Sequence, residues 1–276
     1  MRLYEVFGSD TLLSYLVDHL QSPTCTITKV SDGFYLGSSY IDVLLVVTGN
    51  IGLGAGLLSV LKQIDPNFDK KKRDEKVKIC IDGILYILNG IINAKYNHWG
   101  LQIIQSNSSD TTKIGKIINS INGNKTFTVT KTIQTRIIVQ ARYEEFEEAD
   151  KQPYTGMEIW NIARNDEHVA RALYYYAKAG NEDRYNLNKV REEIEGDVGY
   201  GTLVKWIGEF KIEAFQEWAN DPSISGGESR HSKGGYIKFI REYFMKNKRN
   251  YKNKIAPGSP CPIDFCELLL KWISTK

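Results

Sequence analysis

Arg230 and His231 are the side chains whose types and adjacency could do chemistry in this chain of 276 residues. An arginine neutralises phosphate through a planar fork of donors, and a histidine moves a proton near pH 7. The pair follows a turn-rich stretch that holds Asn220, Ser225, Gly226 and Gly227. A basic and aromatic run comes next: Lys233, Tyr236, Lys238, Phe239, Arg241, Tyr243, Lys246, Lys248 and Arg249. Basic side chains interleaved with aromatics suit a nucleic-acid backbone and its bases. From Arg230 to Lys254 nine Lys or Arg stand against Glu242 alone, a surplus of eight, while the whole chain carries only +3. The reaction these groups fit is metal-independent phosphodiester cleavage, with His231 as acid/base and Arg230 stabilising developing phosphate charge. The plainer reading ties Arg230 and His231 to the core by hydrogen bonds and leaves the basic run as a solvated helix face.

Other chemistries find less support. His19, His98 and His168 have no partner at metal-ligand spacing, which predicts hydrogen-bonded or surface roles. Cys25, Cys80, Cys261 and Cys266 form no C-x-x-C pair, and no secretory leader pattern precedes them. Reduced thiols in a bacterial cytoplasm are therefore expected, with no metal or cofactor. Gly49, Gly52, Gly54 and Gly56 follow an apolar run, but their spacing is not the G-x-G-x-x-G of a dinucleotide loop. Close backbone packing explains these glycines better. No glycine-flanked serine of a nucleophile elbow is present.

Val43 to Leu61 contains nineteen uncharged residues, long enough to cross a bilayer. The same letters fit a buried strand over 41–47, a glycine turn and a buried helix over 55–64.

The elements that must position these groups fall into two parts. A helix is expected over 11–20, then a hairpin turning at Ser31-Asp32-Gly33, with glycine supplying positive φ. A second helix is expected over 77–94, weakened at Asn89-Gly90. Strands at 101–105, 114–121, 126–133 and 135–143 would form an antiparallel meander, with Asn122-Gly123 as a hairpin turn. The acidic run 144–150 reads as a linker. After it Thr155 and Glu158 fit a capping box for a helix over 157–177. Further helices are expected at 187–195, stopped by Gly196 and Gly199, and at 203–207, 212–219 and 236–248, with a final one capped by Asp264. The fold class is α+β: residues 1–150 form a mixed domain of helices on an antiparallel sheet, and 151–276 a helical bundle.

The second part resembles a family of largely uncharacterised bacterial proteins. The likeness covers about 115 residues, and the motifs that carry it are Trp160-Asn-Ile-Ala163, Val169 to Leu173, Asn186 to Gly199, Ala219-Asn220, Ser225-Gly226 and Arg230-His231. More distantly the helical part is similar to HEPN domains, the small bundles of many toxin and antiphage ribonucleases. That likeness implies an arginine–histidine pair separated by four to six residues. Here Arg230 and His231 are adjacent, and three residues separate Arg164 from His168.

The expected function is defence- or toxin-type engagement of RNA or another phosphate-rich ligand, with a homodimer aligning two sites if the chain is a ribonuclease. A non-enzymatic sensor docking to a protein partner is the first alternative. The second is an effector that acts on a membrane through residues 43–61.

Overall fold

The computed structural model of the protein describes residues 3–31, 33–46, 53–96, 104–105, 154–179, 183–220 and 261–276. Its architecture is α+β, with an antiparallel sheet near the N-terminus and helices packed around a long central one.

Among the described residues five strands form the sheet: Leu3–Phe7 (β1), Gln21–Ser22 (β2), Cys25–Val30 (β3), Gly33–Gly37 (β4) and Ile104–Gln105 (β5). Their order is β2-β3-β4-β1-β5, so β1 lies inside the sheet although nothing in its pattern marked it as a strand. Val6, Ile27, Phe34 and Leu36 are buried, and registers Val6↔Phe34 and Ile27↔Leu36 set them side by side. Asp10–His19 (α1) packs against β3 through Leu12, Leu13 and Leu16, as its helical spacing predicts. Val30 pairs with Gly33, so the hairpin turns where the sequence places it. The left-handed residue is Ser31 (φ 51°), however, while Gly33 is already in β4. Of the expected strand at 101–105, Ile104 and Gln105 pair with β1. The strands expected at 114–121, 126–133 and 135–143 and the acidic run lie outside the described residues.

The apolar stretch at 41–47 is not a strand: Ser39–Val46 is a helix (α2). Ser38 starts it, its hydroxyl accepting from the Tyr40 N–H (3.2 Å) and donating to the Thr24 carbonyl (2.6 Å). Ile41 and Leu44 then share the buried face, a spacing of three that overrides the strand preference of β-branched residues. The predicted helix at 55–64 forms as Ala55–Ile64 (α3), with Leu57, Val60 and Leu61 buried. Residues 53 and 54 are non-helical, so 43–61 is not one continuous helix.

Arg73–Tyr96 (α4) contains the helix expected at 77–94 and is the axis on which α2, α3 and the later helices pack. Among the described residues it is the one helix long and apolar enough to cross a membrane, and most of its apolar window is buried in the protein. Gly156–Ala163 (α5) opens with the expected capping box: the Thr155 hydroxyl accepts from the Glu158 N–H, and the Glu158 carboxylate accepts from the Thr155 N–H at 2.7 Å. The single helix expected over 157–177 is two, because the chain breaks at Arg164–Asp166 before Glu167–Ala179 (α6). The Arg164 carbonyl turns away to accept from Gly56 N (3.1 Å), and Asp166 restarts the helix by accepting from Val169 N (3.0 Å).

Arg184–Val198 (α7) continues through Gly196 and stops at Gly199, whose φ of 79° reverses the chain. Tyr200–Ile207 (α8), Glu209–Asn220 (α9) and Phe265–Ile273 (α10) follow, the last capped by Asp264 as expected. The helix expected at 236–248 lies outside the described residues. One hydrophobic cluster joins sheet and helices, with Trp160, Trp272, Tyr15, Tyr176, Phe68 and Phe215 its largest fully buried side chains among the described residues.

Candidate functional site

Of the residues singled out by sequence, Asn220 is the last residue of α9. Ser225, Gly226, Arg230, His231, Lys233, Lys238, Arg241, Lys246, Lys248 and Arg249 lie outside the described residues. The described flanks of this segment converge. Phe215 of α9 meets Phe265 of α10 edge-on at 5.3 Å, and it packs on Trp218 at 5.7 Å. Arg184 clamps the end of α9: its Nη1 donates to the Trp218 carbonyl (2.8 Å), and its guanidinium lies 4.3 Å from the indole centroid. α9 and α10, the described elements on either side of residues 221–260, therefore meet at one aromatic cluster.

Two polar centres stand within the described residues. The first joins α6 to α7. His168 Nδ1 lies 3.0 Å from Glu193 Oε2, and Arg171 Nε donates to Glu193 Oε1 at 3.0 Å. Arg171 also pairs with Glu167, one turn back on the same helix, at 3.1 Å. Burial works against the Arg171 charge, but Glu193 and Glu167 outweigh it and hold its pKa above the ordinary value. The Glu193 carboxylate on Nδ1 fixes the orientation of the imidazole. The expectation of a hydrogen-bonded histidine holds for His168 and for His19, whose Nδ1 lies 2.9 Å from the Tyr15 carbonyl.

Alongside runs a second network. Lys276 Nζ bridges Asp166 (2.7 Å) and Asp197 (2.8 Å), and the buried Trp272 indole donates to Asp197 at 2.8 Å. Burial pulls the Asp197 pKa up, but the Lys276 and Trp272 hydrogen bonds prevail and keep it below the ordinary carboxylate range. A lowered folded pKa adds stability that is present above the unfolded value of about 3.9 and is lost as pH falls through the folded one. Asp197→Asn should therefore destabilise the protein by about 1–2 kcal/mol at pH 7, and the gap should close toward pH 3. Thermal midpoints of both proteins across that range check this; a gap that persists in acid would refute it.

The second centre lies where α5 ends. Arg164 Nη1 donates to Thr24 Oγ1 (3.4 Å), and the Trp160 indole donates to the same oxygen (3.0 Å). Arg164 and His168 thus face different partners and do not form a pair.

The thiols are poor nucleophiles here. Burial pushes Cys80 up to about 12 and Cys261 to about 11, and it raises Cys266, which lies 2.9 Å from the Tyr176 hydroxyl. All four cysteines are free. Among the described residues no group of three or more His, Cys, Asp or Glu could hold a metal ion.

Sequence reading missed Arg171, Glu193, Asp197 and Lys276. The spacing of Glu167 and Arg171 was a usable signal for one pair on one helix face. The partners on α7 and at Lys276 carry none, because they meet only across elements. Comparison of the chain with protein-family models, with curated proteins and with solved structures finds no match.

Proposed function

We propose that this protein engages RNA, or another phosphate-rich ligand, through the segment Arg230 to Arg249, and that it cleaves phosphodiesters without metal. The observation that carries this reading is the charge: a surplus of eight in residues 230–254 of a chain that totals +3. Such a run gains affinity by releasing condensed counterions, and its tyrosines and phenylalanines offer stacking faces. The meeting of the flanking helices α9 and α10 at Phe215 and Phe265 is compatible with the reading. In the reaction His231 takes the proton of the RNA 2′-hydroxyl as that oxygen bonds to the adjacent phosphorus. The P–O5′ bond breaks, the leaving 5′-oxygen receives the proton back from His231, and Arg230 stabilises charge on the phosphate. The likeness to HEPN ribonucleases adds a two-fold pairing of such sites as a further element of the proposal.

The test uses end-labelled total RNA and tRNA with the full chain in EDTA. Discrete cleavage is expected, reduced by about 10²-fold or more in Arg230→Ala/His231→Ala of matched thermal stability. Contacts to six to eight phosphates of a single strand should give a slope of log affinity against log salt of roughly −4 to −6. Cleavage retained by the folded variant would sink the catalytic assignment. Salt-steep binding without turnover would keep the ligand class and discard the reaction.

A further inference from the structure

Thr24 Oγ1 receives two groups that can only donate, the Trp160 indole at 3.0 Å and Arg164 Nη1 at 3.4 Å. Its own proton must then go to Ser22 Oγ, 2.9 Å away. Ser22 Oγ also accepts from the Thr24 N–H at 3.3 Å, so both its acceptor positions are used and its hydroxyl proton is left to give. Arg164 Nε is buried and has no acceptor. Arg164 Nη2 has no partner among the described residues and is not among the buried unpartnered atoms, so it reaches solvent. No ion pair of the described residues includes Arg164. Among the described residues, the hydrogen-bonding capacity left over in this network is therefore donor capacity, on the Arg164 guanidinium and the Ser22 hydroxyl, and the guanidinium charge is unpaired.

The local backbone adds to that potential. The N-terminal turn of α3 abuts the same residue, with Gly56 N and Leu57 N directed at the Arg164 carbonyl at 3.1 and 3.4 Å. The C-terminal end of α5, at Arg164, offsets part of it.

We propose that Arg164 and Ser22 form an anion site for a phosphate group, which accepts from the open Nη edge of Arg164 and from the Ser22 hydroxyl. A phosphate brings several acceptor oxygens and no hydrogen-bond donor that would need an acceptor here. It supplies both the acceptors and the charge that the junction lacks. The site uses none of residues 230–249 and stands or falls apart from the ribonuclease reading.

The full chain is titrated with inorganic phosphate, with a nucleoside monophosphate and with an oligoribonucleotide lacking terminal phosphates, against chloride at matched ionic strength. A saturable rise in thermal midpoint is expected. Arg164→Gln and Ser22→Ala should each weaken it by roughly tenfold or more, since each removes a hydrogen bond to a charged group. The part of the response lost in Arg164→Gln and Ser22→Ala is the part that belongs to this site, and any part they retain belongs to phosphate contacts elsewhere, such as residues 230–249. A response to the two small phosphates alone that falls in Arg164→Gln assigns a free phosphate ligand, and an oligoribonucleotide response that also falls in Arg164→Gln assigns a backbone phosphate. No saturable response in the parent, or an equal one in folded Arg164→Gln, overturns the site. Should Arg164→Gln fail to fold, undiminished affinity in Ser22→Ala overturns it.

Discussion

Gly90→Ala should cost about 3 kcal/mol or more, lowering the thermal midpoint by about 6–12 °C. A Cβ at Gly90 would stand 2.2 Å from the Leu173 carbonyl oxygen and 2.9 Å from the Leu173 Cα, so the obstacle is the backbone of α6 and no rotamer change relieves it. Alanine's helix preference of about 1 kcal/mol is far too small to compensate. Gly56→Ala meets the Ala163 carbonyl oxygen at 1.9 Å and should be comparably severe. Gly83→Ala meets the Leu61 Cδ2 atom at 2.5 Å, the end of a flexible side chain, and should cost less. Gly201, with nothing within 4 Å of its Cβ position, is the control: alanine there should stabilise by about 0.5 kcal/mol. Urea denaturation of the four variants ranks them. A Gly90→Ala protein as stable as Gly201→Ala would show that α4 and α6 do not approach as closely as described.

Trp160→Ala should be of similar size, about 3–5 kcal/mol, because the side chain is fully buried and its removal leaves a cavity between α5 and the sheet. Trp160→Phe separates packing from polarity. It keeps most of the apolar volume but removes the indole N–H from Thr24 Oγ1, a hydroxyl that Arg164 and Ser22 also use. That should cost about 1–2 kcal/mol. In a double-mutant cycle with Thr24→Val, the Trp160→Phe effect should shrink, since the oxygen it serves is gone. Equal effects in both backgrounds would mean that the hydrogen bond adds nothing to stability.

These glycines and this tryptophan mark the division between what was legible in the residues and what was not. Periodicity alone identified α1, α3 and the long α4, because a buried stripe at helical spacing imposes itself locally. The Thr155–Glu158 box and the Asp264 cap were equally legible, since a cap and its partner N–H lie within three residues. The α+β class followed from these helix signals together with the hairpin at Ser31-Asp32-Gly33 and the strands expected over 101–143, of which only Ile104 and Gln105 are among the described residues. Other features depended on neighbours distant in sequence. Ser39–Val46 is helical because Ser38 is held by Thr24 and because Ile41 and Leu44 need a common face. The break at Arg164–Asp166 exists because the Arg164 carbonyl serves the start of α3, more than a hundred residues earlier in the chain. Gly90, which reads as a weak point in a helix, is the place where α6 crosses α4. The charge surplus of residues 230–254 is a property of the sequence by itself. The donor excess at Arg164 and the bridging of Asp166 and Asp197 by Lys276 arise only when distant elements meet, because a hydrogen bond requires proximity that no local pattern encodes.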